Sequence, residues 1–277
     1  MIRRLNIGYL LVTQPLALLF VVGSVATVNA QKFTLGVKAE GSLTWAGFGD
    51  KEAKDTFSSR MKPGFGASLL IGFPLKEAYD LMLEGGLSQS GRIITFNSNP
   101  EWRNNLTMRT VDMGMVLRRN FDFMLRKDTP ARAFVGIGPE ISYWMHSQGF
   151  IAITDGPKYE YDTEFGNDSD SDVAGGYVLM LQDVNRWLFS LNFGAGVKAP
   201  LRNNRFITTE LRFSSGHTFL GKENSAFMER FLWGPGSMQD TMKTNMKTVS
   251  LSVAYTIDVD IKESRKGKST IKKKLKR

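Results

Sequence analysis

Phe33-Thr34-Leu35-Gly36-Val37-Lys38-Ala39-Glu40-Gly41-Ser42-Leu43-Thr44-Trp45 alternates without a break: odd positions are apolar or glycine, even positions polar or glycine. Successive side chains of a β-strand point to opposite faces, so this stretch reads as a two-faced strand. Residues 187–199 repeat the rhythm, with Trp187, Phe189, Leu191, Phe193, Ala195, Val197 and Ala199 opposite Ser190, Asn192, Gly194, Gly196 and Lys198. The last segment does so again, with Val249, Leu251, Val253, Tyr255, Ile257 and Val259 on one face.

Working outward, eight such segments emerge: about 33–45, 61–73, 80–92, 107–119, 132–145, 187–199, 206–218 and 247–259. Each exceeds the ~5–6 residues usual in globular proteins and matches a tilted strand crossing a bilayer. The connections alternate. Shorter turns at 74–79, 120–131 and 200–205 separate longer polar loops at 46–60, 93–106, 146–186 and 219–246. This pattern predicts an all-β protein, an eight-stranded antiparallel up-and-down transmembrane β-barrel, over 31–261.

A soluble sandwich also alternates, so the wet face has to be decided. The polar face is rich in glycine and carries isolated charges of both signs. Aromatics stand toward the ends of the apolar face, at Trp45, Phe73, Tyr79, Tyr143, Trp187, Phe213 and Tyr255, as interfacial girdles require. The apolar face therefore looks out to lipid and the polar face inward.

On this reading the lumen holds Lys38, Glu40, Lys62, Glu84, Arg92, Asp112, Arg132, Glu140, Lys198, Glu210, Arg212 and Asp258, six charges of each sign. Exchanging the faces would put them in hydrocarbon, at roughly 2–4 kcal/mol per midplane Lys or Arg. Eight strands leave an interior that side chains fill, so these charges are expected to pin a closed lumen structurally.

The ends differ from the body. MIRRLNIGYLLVTQPLALLFVVGSVATVNA (1–30) has a cationic start, an apolar centre and a small-residue finish, the layout of a secretory signal cleaved after Ala30. Residues 262–277, KESRKGKSTIKKKLKR, carry nine basic residues and one acid, hence +8 of the formal net +9. Arg3 and Arg4 hold another +2, which leaves the body at −1. A nucleic-acid-binding domain would wear its charge on a folded face. The tail is instead read as a disordered periplasmic segment whose Arg265, Lys266, Lys268, Lys272, Lys273, Lys274, Lys276 and Arg277 meet an acidic periplasmic or cell-wall partner.

The absence of cysteine excludes disulfides, thiolate metal sites and cysteine nucleophiles. Only His146 and His217 are histidines. No catalytic residue, cofactor, metal or small-molecule substrate is expected. Asp168-x-Asp170-x-Asp172 falls in an acidic run but lacks the calcium-loop pattern, because Val173 stands where glycine is required and Leu179 where the closing Glu is. A lipid hydrolase built on His217 with Ser214 and Ser215 is a minor alternative without a matching acyl-hydrolase spacing. A surface adhesin or receptor acting through 146–186 and 219–246 is another.

The segments RMKPGFGASLLIGFPL (60–75), VDMGMVLRRNF (111–121), ARAFVGIGPEISYWM (131–145), LNFGAGVKAPL (191–201), TTELRFSSG (208–216) and SLSVAYTI (250–257) resemble the strands of the PorT-like outer-membrane β-barrel family of Bacteroidetes. Glu210-Leu211-Arg212 is similar to that family's Glu-Leu-Arg core, and Gly194-Ala195-Gly196 to its glycine pair. Asp112 stands where the family usually has Glu, Gly114 where it usually has Pro, and Leu188 where an acid is common. The resemblance implies a non-enzymatic accessory or scaffold of type IX secretion and gliding motility. It would sit in the outer membrane with both mature termini periplasmic.

Overall fold

The computed structural model describes residues 32–49, 51–76, 78–98, 101–126, 129–153, 158–165, 177–181, 184–201, 204–221 and 243–260. The expected signal peptide (1–30), the basic tail (262–277) and Asp168, Asp170 and Asp172 lie outside the described residues.

Alternation alone would give a sheet; closure makes it a barrel. The eight wall strands are β1 (Lys32–Phe48), β3 (Lys62–Lys76), β4 (Tyr79–Phe96), β5 (Trp102–Arg126), β6 (Thr129–Ile153), β9 (Trp187–Pro200), β10 (Arg205–Gly216) and β11 (Thr244–Asp260). Each pairs antiparallel with the next wall strand in sequence. β1 then pairs with β11 over its whole length, from Lys32 opposite Asp260 to Phe48 opposite Thr244. The ring has no free edge in the wall, so every strand finds its hydrogen-bond partners within the barrel.

Every expected segment coincides with a wall strand. The loops differ. β5 and β6 run 25 residues each, well past the ~9–11 a bilayer requires. At the end away from the described termini they carry additional structure: helix α1 (Lys51–Thr56) and the strands β2 (Phe57–Arg60), β7 (Lys158–Phe165) and β8 (Tyr177–Leu181). β2 pairs with β4, β7 with β6, and β8 runs parallel to β7. Much of 46–60, 93–106 and 146–186, expected as loop, is therefore an extension of the sheet.

The outward face of the wall is apolar and bare. Met113 is 67% exposed, Leu69 66% and Leu251 57%. The inward face buries Lys38, Glu84, Arg118, Glu210 and Arg212. On β5 the outward row is Arg109, Val111, Met113, Met115, Leu117, Arg119. The ten residue steps from Arg109 to Arg119 span about 34 Å of strand, or about 25 Å of membrane depth at the usual tilt, which is the height of a lipid-facing band. Tyr143 and Trp187 meet at 4.8 Å at its far edge, with the Arg186 guanidinium 4.6 Å from the Tyr143 ring. The fold is a transmembrane β-barrel.

Beyond Arg109 the pattern inverts. Arg109 lies opposite His146 but Thr110 lies opposite Trp144, so β6 carries one extra residue, Met145. That bulge changes the facing of β6 from even-inward to odd-inward. In the extension the inward side chains Leu106, Met108, Trp144, Ile151, Tyr161 and Leu220 form an apolar core. The outward ones are mostly polar, Arg103, Asn105, Thr107, Gln148, Lys158, Glu160 and Asp162, with Ile93 and Phe150 among them.

Candidate functional site

Within the membrane-spanning part, parity brings charges from four strands to one level of the lumen. Glu84 on β4 accepts from Arg212 at Nη1 (2.7 Å) and Nη2 (2.8 Å) and from Lys38 Nζ (2.6 Å), with Arg118 Nη2 at 3.5 Å. Glu210 accepts from Arg118 Nη2 (2.6 Å) and Arg212 Nε (2.9 Å). Glu40 lies 3.4 Å from Lys38. Three cations thus meet three carboxylates, and each fully buried member has more than one partner. Such a network offsets the cost of taking charge out of water only when its lone pairs are filled, as they are here by the forked guanidinium groups.

Arg118 was not among the residues expected inside, although its even number on β5 places it on the same face as Asp112. Its guanidinium stands over aromatic surface, 4.4 Å from the centre of the Phe134 ring. The next residue, Arg119, points out toward solvent at the membrane edge. The Arg-Arg pair therefore looks like the end of a strand in sequence, whereas the first of the two belongs to the lumen.

Next to the ion network is a chamber of about 120 Å³, room for several waters. Asp112 and Glu140 face it, with Ser42, Ser214 and Ser250 among its hydroxyls. Glu140 accepts from Asn192 Nδ2 (3.0 Å) and Ser190 Oγ (3.4 Å). Met108, Leu188 and Met246 close its far side, beneath Trp144 and Leu220, both fully buried. The Leu220 segment is tied across the opening: Leu220 N donates to Thr244 O, and Asn185 donates to the carbonyls of Phe219, Leu220 and Gly221. On the terminus-proximal side Leu70, Met82, Val116 and Ala254 pack together. Apolar side chains therefore bracket the ion network and chamber, and the expected polar interior is interrupted by an apolar plug at the far end.

The remaining expected interior charges disperse. Lys198 pairs with Asp258 (3.2 Å), which also accepts from Thr34 Oγ1 (2.6 Å), near the terminus-proximal end. Arg92 is buried at the far end and donates to Thr244 Oγ1 (2.8 Å). Arg132 is not in the lumen: it is exposed on the rim, 2.8 Å from Asp122 directly across the strand pair. Lys62 is not in the lumen either. At the first position of β3 its chain leaves the inward face, passes beside Gly91, and donates to Asn105 Oδ1 and Thr107 Oγ1 on the outer wall. A side chain at 91 would strike the Leu106 carbonyl first and then the lysine stem.

Acyl-transfer chemistry needs a serine and a histidine in contact. Ser214 lines the chamber, whereas His217 is exposed and its backbone N–H donates to Phe189 O (2.8 Å). Among the described residues no hydrogen bond joins His217 to Ser214 or Ser215. His146 lies on the outer wall, 4.0 Å from Asp162.

The arrangement defines a membrane-spanning barrel with a filled, charge-pinned lumen and a folded sheet extension. Neither a protein-family model nor a curated protein matches the chain. Among solved structures it is similar to outer membrane protein OprG from Pseudomonas aeruginosa, at 7% identity and a TM-score of 0.46, covering 83% of this chain and 96% of that one. It is also similar to Neisserial surface protein A, at 11% identity and a TM-score of 0.36, covering 80% and 96%.

Proposed function

We propose that the protein is a non-enzymatic outer-membrane barrel that conducts no solute and serves as a sealed scaffold, holding partners at its ends. The observation that carries this is the double closure of the lumen. An ion network of Lys38, Glu84, Arg118, Glu210 and Arg212 sits below the chamber, and the Trp144–Leu220 plug sits above it. An eight-stranded ring is largely filled by such side chains, and only the small chamber is left between the two closures. In planar bilayers the full-length mature protein gives no stepwise conductance in molar salt; a reproducible open level would overturn the reading.

The finer assignment follows the PorT-like strand resemblance: an accessory of type IX secretion, with both mature termini periplasmic and the tail from Arg265 to Arg277 recruiting the partner. Deleting 262–277 should leave the barrel assembled and abolish both protein export and partner capture in cell crosslinking. Unchanged export and capture would contradict it. One observation favours a second reading, a surface receptor: the best-built structure outside the membrane lies at the far end, where β5, β6 and β7 carry their own core.

A further inference from the structure

Register places the outer-wall residues at the far membrane edge in rows. Phe65, Gln89, Arg109 and His146 form the first, at the limit of the apolar band. Gly91, Thr107, Gln148 and Asp162 form the next, and Ile93, Asn105, Phe150 and Glu160 the one beyond. A row is two residues, about 7 Å of strand and about 5 Å of depth at the usual tilt. The second and third rows therefore stand about 5–10 Å beyond the hydrocarbon, at the level of the headgroups.

In those rows the wall holds an open polar groove of about 790 Å³, lined by Lys62, Lys158, Asn105, Thr107, Gln148 and Phe150, with the carboxylates of Glu160 and Asp162 also on its wall. Lys62 is its unusual member. It is 9% exposed, and among the described residues its ammonium reaches the neutral oxygens of Asn105 and Thr107. Lys158 is already engaged by Glu160 and stands 4.4 Å from the Phe150 ring. Arg109, exposed one row nearer the membrane, adds a second cation. Among the described residues neither Lys62 nor Arg109 has a carboxylate partner. A cation held out of water without a counter-charge costs stability unless an anion from outside completes it.

We infer that this groove binds the phosphate of an anionic lipid headgroup in the surrounding leaflet, with Lys62 as the central cation and Arg109 beside it. Asn105 and Thr107 hold the ammonium in place, Gln148 offers a hydrogen bond to the headgroup, and the Phe150 ring gives its carbon skeleton a surface. The inference rests on the membrane-spanning fold and is independent of what partner the barrel serves.

The test uses the full mature protein in uncharged detergent, with lipid retention read by native mass spectrometry. The probe is bisphosphorylated lipid A, set against phosphatidylcholine. Heat-modifiable gel mobility reports folding independently. Wild type should retain the bisphosphorylated lipid over phosphatidylcholine. Lys62→Met should lose about tenfold, the worth of one charge-assisted hydrogen bond. Lys62→Arg should keep retention, and the exposed Arg109→Gln should weaken it by less. Equal retention by wild type, Lys62→Met and Arg109→Gln would overturn the inference. So would complete displacement of the lipid by millimolar inorganic phosphate, which would mark a free-anion site.

Discussion

The same two strands obey opposite burial rules on either side of one residue. Between Arg109 and Arg119, β5 turns Val111, Met113, Met115 and Leu117 outward and keeps Asp112 and Arg118 inside. Beyond Arg109 it turns Arg103, Asn105 and Thr107 outward and buries Leu106 and Met108. β6 makes the corresponding switch across the Met145 bulge. Antiparallel pairing resumes on both sides of the bulge, so hydrogen bonding does not distinguish the two halves. Solvent does. Where the outside is hydrocarbon the apolar face goes out, and where the outside is water it goes in.

The two interiors are also held differently. The extension is stabilised by apolar burial around Trp144, with Phe165 edge-on at 5.1 Å. The membrane barrel has little hydrophobic driving force for its lumen and relies on the fit of its ion network. Arg212 bonds both Glu84 and Glu210, so Arg212→Met leaves two buried carboxylates short of partners. It should cost about 3–5 kcal/mol in urea unfolding from micelles. A loss below about 1 kcal/mol would show that water, not the guanidinium, satisfies those acids. A smaller effect comes from the outer wall. Met113→Arg, at mid-band, should cost about 2–4 kcal/mol in the same assay. Glu164→Arg, on the exposed side of β7, should stay within about 0.5 kcal/mol. Equal costs at the two positions would dissolve the contrast between the regions.

The barrel was legible because strict period-two alternation over eleven or more residues leaves few alternatives, and the six charges of each sign fixed which face was wet. The extension was partly legible too. Lys158-Tyr159-Glu160-Tyr161-Asp162-Thr163-Glu164-Phe165 alternates much as a wall strand does, but its four charges in eight residues fit a solvated acidic loop equally well. Three features were beyond parity counting. The Met145 bulge reverses facing without any mark in composition. Lys62 sits at a strand's first residue, where a long flexible chain can leave the face its number assigns. Leu220 enters the lumen from a connection with no periodicity, so the apolar plug could not be read from strands alone. Arg118 is different: its parity was sufficient, and the adjacent Arg119 concealed it.

The chain has no native cysteine, so single cysteines can report each position of β5 separately. In proteoliposomes, a water-soluble maleimide should label Arg103→Cys readily and leave Val111→Cys, Met113→Cys, Met115→Cys and Leu117→Cys unlabelled, with protection beginning between 109 and 111. Uniform labelling along the strand, or protection extending through 103, would contradict a wall whose outer face passes from lipid to water at Arg109.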